Sequence, residues 1–215
     1  MIANHIHHAL AQVQELRHKV LEKQRFKGYS GRARAIGGTI ALLATCVMAS
    51  GRYPHTTKAH FTGWGVVFVI AVLINYGALV YWFLFDPTVK RDLRRLKPVL
   101  DLIPPLFTGG VFTLLFGWNK EYEYLPGTWM ALFGLANLAT RHVLPRTISL
   151  VGLYYLSCGT FFLLMPGISF TNPWPMGLVF FIGEWMGGVI LHYDGLPPSI
   201  IRFLQPKESL HDDET

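Results

Sequence analysis

Six long apolar segments constrain the fold of this chain more than any other feature of its sequence. They run near residues 35–50, 61–85, 98–118, 126–141, 147–166 and 174–192. A helix needs roughly 20 apolar residues to cross a hydrocarbon core about 30 Å thick. The segments approach or meet that length, although the first and fourth have only about 16 residues each. The sequence therefore predicts an all-α, polytopic integral membrane protein, a bundle of six transmembrane helices.

The placement of basic residues supports six spans. The chain has 215 residues, 51% hydrophobic and only 15% charged, which is too apolar for an ordinary soluble domain. With six spans, 16 of the 19 Lys and Arg residues fall on the side of the N-terminus. Basic residues mark the cytoplasmic side, so both termini are predicted to be cytoplasmic, in a bacterial cytoplasmic (inner) membrane. The net charge of +6 is then a topology signal, and no nucleic-acid partner is predicted.

The chain divides into three predicted regions: a cytoplasmic segment 1–34, a six-span domain 35–192 and a cytoplasmic tail 193–215. In the first region, apolar residues recur every three or four positions among basic ones, at Ile6, Ala9, Val13, Leu16 and Val20. This pattern indicates an amphipathic helix. We expect it to lie on the anionic inner leaflet or against the protein's own cytoplasmic loops, or else to form a short coiled coil that joins protomers or binds a soluble partner.

The loop between the second and third spans, DPTVKRDLRRLKP, is the second basic segment. Arg91, Arg94 and Arg95 are predicted to be solvated and to fix the topology, or to contact anionic lipid or a partner. The expected partner of the chain is the lipid bilayer. A homo-oligomer and a membrane-protein partner are both left open.

Glu184, in the stretch FFIGEWMGGV, is a carboxylate in the middle of the sixth apolar segment. Such a group costs roughly 2.5 to 3.5 kcal/mol to insert, so it should face the bundle interior and find a partner. Gly183 and Gly187 form a GxxxG pair and Gly188 shares the acidic side of the helix, which predicts close helix packing. Glu184 is then either a hydrogen-bonded structural group or part of a path for protons or substrate.

Three further polar residues are predicted at membrane depth. Asp101 precedes paired prolines in KPVLDLIPPLFTGG, which are expected to kink the third span and expose carbonyl groups near the acid. Asp101 is thus a candidate for a transport site or for an interfacial ion pair. Asn75 and Asn137 are candidates for hydrogen bonds between helices or for contacts with a ligand.

The remaining reactive residues point to no metal, cofactor or catalytic centre. Cys46 and Cys158 lie singly within spans, without the spacing of a metal site. His55 and His60 are five residues apart in an outer loop, and the other histidines form no convincing ligand set. No phosphate-binding glycine loop, HExxH or GxSxG motif occurs. An enzyme is therefore the least favoured class.

Residues 171–178, TNPWPMGL, are similar to the NPAPLGL signature of the acetate and succinate permease family, whose members are also small six-helix proteins. The family carries this signature at its first span, whereas this chain carries it at the sixth, so no residue role is transferred. In physical terms, Pro173 and Pro175 favour a helix start, and Asn172 is suited to cap it.

Two classes of function follow. The first is a transporter or channel for a small solute, with a polar interior around Glu184 and Asp101. The second is a non-catalytic membrane subunit, scaffold or sensor that binds a partner through its basic cytoplasmic surface. A transporter requires Glu184 to face a wet cavity, whereas a scaffold should seal Glu184 between packed helices.

Overall fold

A computed structural model describes residues 12–13, 28–86, 96–165 and 169–194, and all regular structure in these ranges is helical. The α-helices are α1 (Gly31–Met48), α2 (Thr57–Phe85), α3 (Lys97–Leu100), α4 (Ile103–Asn119), α5 (Leu125–Ala139), α6 (Ile148–Leu164) and α7 (Trp174–Asp194). Short 3₁₀ helices at Tyr122–Tyr124 and Thr140–His142 flank α5. The all-α prediction is confirmed for these ranges.

The six longer helices coincide with the six predicted apolar segments. By length and composition, two helices of the described ranges are long and apolar enough to cross a membrane, namely Thr57–Phe85 and Trp174–Tyr193. Ile148–Leu164 is a shorter apolar helix. At 1.5 Å per residue, α1, α4, α5 and α6 reach only about 22 to 27 Å, less than the hydrocarbon thickness of about 30 Å. The structure thus shows a helix at each of the six segments, and two of these helices have the length and composition to cross a membrane.

The chain starts its longer helices with polar caps and prolines. Ser30 Oγ accepts a hydrogen bond from the Ala33 amide at 3.2 Å and caps α1. Thr56 Oγ1 does the same for the Ala59 amide of α2 at 3.3 Å. Asn172 Oδ1 accepts from the Trp174 amide at 3.2 Å, as expected of a cap before α7.

The paired prolines differ from the prediction. Pro104 and Pro105 lie in the first turn of α4, and the break in the helix falls before them, at Asp101 and Leu102. The first turn of a helix leaves its amide groups without intrahelical partners, so proline, which has no amide hydrogen, costs little there. The prolines therefore begin a helix instead of kinking one.

Helices that lie side by side follow the order α2, α1, α7, α6, α5, α4. The two most extensive contacts join α1 to α7 and α5 to α6. Both pairs are antiparallel, because the start of each helix lies near the end of its neighbour. The inner four helices form the centre of the molecule, and α2 and α4 pack on its two ends.

Glycines produce the closest contacts within both inner pairs. A Cβ atom added to Gly127 would lie 2.9 Å from the carbonyl oxygen of Gly159, and one added to Gly134 would lie 2.8 Å from that of Gly152. In α1 and α7, a Cβ atom on Gly188 would lie 2.7 Å from the Gly31 oxygen. Backbones can approach this closely only where side chains are absent, which is a usual way to pack helices in membranes.

The outer helices expose apolar surface. Among 29 residues of α2, only His60, Trp64 and Leu79 are buried, and α4 has no buried residue. Leu114 and Trp118 of α4 are 76% and 89% exposed. Apolar surface of this extent is typical of a region covered by lipid or by another protein.

Several predicted features lie outside the described residues. The N-terminal amphipathic helix does so except for Gln12 and Val13, which are helical. Arg91, Arg94 and Arg95 of the basic loop and the tail from residue 195 onward also lie outside them.

Candidate functional site

Glu184 forms a buried ion pair with Arg34. Arg34 Nη2 donates to Glu184 Oε1 at 2.6 Å, and Arg34 Nε donates to Glu184 Oε2 at 3.1 Å. Only 10% of the arginine side chain and 11% of the glutamate side chain are exposed. The contact is bidentate, a geometry in which the planar guanidinium and the carboxylate match each other closely.

Two more side chains complete this group. Arg34 Nη1 donates to Asn137 Oδ1 at 3.0 Å, and Asn137 Nδ2 donates to the Phe133 carbonyl at 2.8 Å. The Tyr155 hydroxyl lies 3.2 Å from Glu184 Oε1 and 3.3 Å from the Phe180 carbonyl, so its proton is shared between two acceptors. We call Arg34, Asn137, Tyr155 and Glu184 the polar network.

The polar network joins all four inner helices. Arg34 comes from the first turn of α1, Asn137 from the last turn of α5, Tyr155 from α6 and Glu184 from the middle of α7. Because α1 and α7 are antiparallel, the start of α1 lies beside the second half of α7, and the long arginine side chain reaches the carboxylate from there.

Glycines make room for the polar network. A Cβ atom on Gly187 would lie 2.6 Å from Cζ of Arg34, and one on Gly183 would collide with the ring of Tyr155. On the other side, a Cβ atom on Gly38 would lie 2.8 Å from Cβ of Glu184. Any larger residue at these three positions would displace a member of the network or separate α1 from α7.

The predicted packing glycines therefore have two different roles. Gly188 permits a close backbone contact with Gly31, as a small residue at a helix interface does. Gly183 and Gly187, the GxxxG pair, accommodate instead the ring of Tyr155 and the guanidinium of Arg34.

Aromatic residues cover one side of the polar network. Tyr155 is fully buried, and its ring packs edge-on against Phe133 with centroids 5.0 Å apart. Phe180 lies 5.3 Å from Tyr155, measured between ring centroids. These apolar neighbours lower the local dielectric, which strengthens the attraction between the paired charges and also makes an unpaired charge costly.

Of the four predicted polar residues, two enter the polar network and two do not. Glu184 and Asn137 belong to it. Asn75 lies on α2, where its Nδ2 donates to the Ala71 carbonyl at 2.9 Å and approaches Gly37 of α1.

Asp101 lies exposed in the turn between α3 and α4 and is not a member of the polar network. It is close enough to Tyr29 for its charge to act on the tyrosine. Burial, with a smaller contribution from the neighbouring Tyr76, raises the pKa of the Tyr29 phenol well above its usual value of 10. The charge of Arg34 opposes that shift, and the charge of Asp101 adds to it.

Sequence reasoning missed Arg34 and Tyr155. By sequence alone Arg34 belongs to the basic segment before the first span, because the positive-inside rule treats all flanking arginines alike. A helical interpretation of GRARAIGG would have separated Arg32 from Arg34, since Arg34 shares a helix face with Gly38 and Arg32 does not. Tyr155 gave no signal among the neighbouring aromatic residues.

A cavity lies between the segment that precedes α1 and the second half of α2. It has a volume of about 510 Å³ and is lined by Gly28, Ser30, Gly77, Ala78, Tyr81 and Trp82. No member of the network lines it. Within the described ranges, no group of three or more His, Cys, Asp or Glu side chains is arranged to hold a metal ion.

Comparison of the chain with protein-family models, with curated proteins and with solved structures finds no significant match.

Proposed function

We propose that this chain is a non-catalytic membrane subunit, and that the polar network is a structural lock that fixes its four inner helices. In this proposal the six longer helices cross a bacterial inner membrane and both termini are cytoplasmic. The basic residues of the N-terminal segment other than Arg34, and those of the second loop, then face the cytoplasm together, where they are available to a partner or to anionic lipid.

The observation that carries the proposal is that both carboxylate oxygens of Glu184 already have hydrogen-bond partners. Both of its carboxylate oxygens accept hydrogen bonds from Arg34, and one also lies within reach of Tyr155. A carboxylate that carries protons or binds a solute must exchange with water during each cycle. Here the carboxylate lies against packed side chains, and the cavity of about 510 Å³ does not include it.

The outer helices support a role in assembly. Because α2 and α4 expose apolar residues over most of their surfaces, they offer room for lipid or for helices of another membrane protein. A subunit whose four inner helices are fixed by the polar network, and whose outer helices α2 and α4 are apolar, is suited to pack against other proteins in a larger membrane assembly.

The first test is the size of the protein in its own membrane. Chemical cross-linking before mild detergent extraction should yield a species heavier than the 24.3 kDa chain, with a defined stoichiometry. A species that remains a single chain under all cross-linking conditions would contradict the subunit role.

The second test separates this role from transport. Purified protein in sealed liposomes should leave proton flux at the level of empty liposomes over a range of pH. The paired variant Arg34→Gln with Glu184→Gln removes both charges, and Glu123→Gln makes the same chemical change on an exposed residue. A flux that the parent and Glu123→Gln support and the paired variant loses would establish the transporter hypothesis instead.

A further inference from the structure

His60, in the first turns of α2, is a buried group that the polar network does not use. It is completely buried. Among the described residues, its Nε2 atom is the buried side-chain nitrogen or oxygen that has no hydrogen-bond partner. Such an atom requires an explanation, because burying a polar group without a partner costs about 1 to 3 kcal/mol.

The other ring nitrogen fixes the chemical state of Nε2. Nδ1 lies 3.1 Å from the carbonyl oxygen of Thr56, and a carbonyl oxygen can only accept. In the neutral ring Nδ1 therefore carries the proton, and Nε2 presents a lone pair. An imidazole whose one nitrogen donates to a backbone carbonyl while the other is a free lone pair has the arrangement usual for a metal-bound histidine.

A second imidazole lies at a suitable distance. The ring centroid of His55 is 6.1 Å from that of His60, and the two planes differ by 26°. Two imidazoles bound to one ion at the usual bond length of about 2.0 Å place each centroid roughly 3.2 Å from the ion, so their centroids can be as far as about 6.4 Å apart. The observed spacing falls within that limit. His55 is exposed, which provides a way in from solvent.

A thioether lies on the same side of α2. Gly63, one turn after His60, has no side chain, and a Cβ atom there would lie 2.7 Å from Sδ of Met48 and 2.9 Å from the hydroxyl of Tyr53. Met48 is 2% exposed, and the Tyr53 ring packs edge-on against His60 with centroids 5.4 Å apart. The end of α1 thus brings a sulfur atom to the part of α2 that carries the unpartnered nitrogen.

We propose that His60 Nε2, the imidazole of His55 and the thioether of Met48 form a binding site for one cuprous ion. Thioether sulfur is a soft ligand that selects Cu(I), and imidazole suits copper as well. Zinc is bound by imidazole, thiolate and carboxylate, and the thioether that completes this group of three is not among its usual ligands. The site is separate from the polar network, so it stands whether or not the proposed function is correct.

The test is a titration of the purified full-length chain with Cu(I) under reducing conditions, in competition with a chromogenic Cu(I) chelator. One ion per chain is expected. His60→Phe keeps an aromatic ring but has no lone pair, and should weaken binding at least tenfold. His5→Asn, His7→Asn and His8→Asn together remove the terminal histidine cluster and should leave binding unchanged. The assignment would be overturned if His60→Phe bound Cu(I) with full affinity, or if the triple variant lost its affinity for Cu(I).

X-ray absorption at the copper edge provides a readout that does not depend on how well His60→Phe folds. The parent loaded with Cu(I) should show nitrogen and sulfur neighbours, and Met48→Leu, which is similar in volume, should lose the sulfur. A parent spectrum with only nitrogen or oxygen neighbours would remove Met48 from the site. Stoichiometric binding of Zn(II) without binding of Cu(I) would show that the proposed metal is wrong.

Discussion

At the scale of single residues, Arg34 and Glu184 each solve the problem that the other creates. A lone carboxylate or a lone guanidinium is expensive to bury, whereas in the bidentate pair with Asn137 and Tyr155 each guanidinium nitrogen and each carboxylate oxygen has a hydrogen-bond partner. As a consequence, removal of either charge alone leaves the other charge buried without its partner. The ion pair thus contributes little net stability, but the native packing requires both of its members.

The first prediction concerns the removal of one charge. Glu184→Gln leaves Arg34 charged and buried, so we expect a loss of about 3 to 5 kcal/mol in the free energy of unfolding. Arg34→Gln should behave similarly, and the two changes together should cost less than the sum of the single costs. Thermal unfolding in detergent measures all three. Strictly additive single effects would show that the side chains do not interact.

The second prediction concerns the space for the guanidinium. Gly187→Ala puts a methyl group 2.6 Å from Cζ of Arg34 and should destabilise the protein by about 1 to 3 kcal/mol, the usual cost of overpacking. Gly110→Ala is the matched control, since open space surrounds Gly110 on another helix. We expect it to be neutral or to stabilise the helix by up to about 1 kcal/mol. Equal melting temperatures for the two variants would contradict this account.

The residues of the site divide clearly into those that the sequence predicts and those that it does not. A carboxylate in an apolar segment must be buried and paired, so Glu184 could be singled out from its position alone. Its partner could not, because a positive residue next to a span is normally explained by topology. Asp101 was singled out because it precedes two prolines, and the structure places it exposed in the turn before α4.

At the scale of helices, the same device holds both inner pairs together. Gly127 and Gly134 on α5 are seven residues apart, as are Gly152 and Gly159 on α6, so each pair lies on one face of its helix. Positions of these helices followed from apolar length. Which helices pair could not be predicted in the same way, because glycines are frequent in the sequence. Their spacing becomes informative only when the spacing on one helix matches that on its neighbour.

The third prediction tests this contact between α5 and α6. A Cβ atom on Gly159 would lie 2.5 Å from the Ala131 nitrogen and 2.7 Å from the Gly127 oxygen, and backbone atoms cannot move aside as flexible side chains do. Gly159→Val should therefore force the helices apart and lower the melting temperature more than Gly187→Ala does. Gly117→Val, on α4 in open space, is the matched control. An unchanged melting temperature for Gly159→Val would mean that α5 and α6 do not pack through these glycines.

At the scale of the whole molecule, the helix order α2, α1, α7, α6, α5, α4 places the two chain-distant helices α1 and α7 at the centre. The ends of α1 and α7 that meet at Gly31 and His192 belong to the same side of the molecule. This neighbourhood agrees with the topology proposed from charge, in which the first span begins and the sixth span ends in the cytoplasm.

The fourth prediction tests that topology directly. Reporter fusions after Lys97 and after Glu123 lie on either side of α4, so they should report opposite compartments, with Lys97 in the cytoplasm. A fusion after Arg146 serves as a control and should match the fusion after Lys97. The same signal from Lys97 and Glu123 would exclude a spanning α4 and reduce the number of spans.

The length of α2 has a mechanical consequence. With 29 residues, it extends about 43 Å, whereas the hydrocarbon core of a bilayer is about 30 Å thick. In a bilayer α2 must therefore lean or protrude, and its main contact, with α1, leaves little to fix the angle. A thicker bilayer allows the helix to stand more upright, and a thinner one tilts it further. The inclination of α2 would thus vary with the thickness of the surrounding membrane, while the locked centre of the molecule keeps its shape.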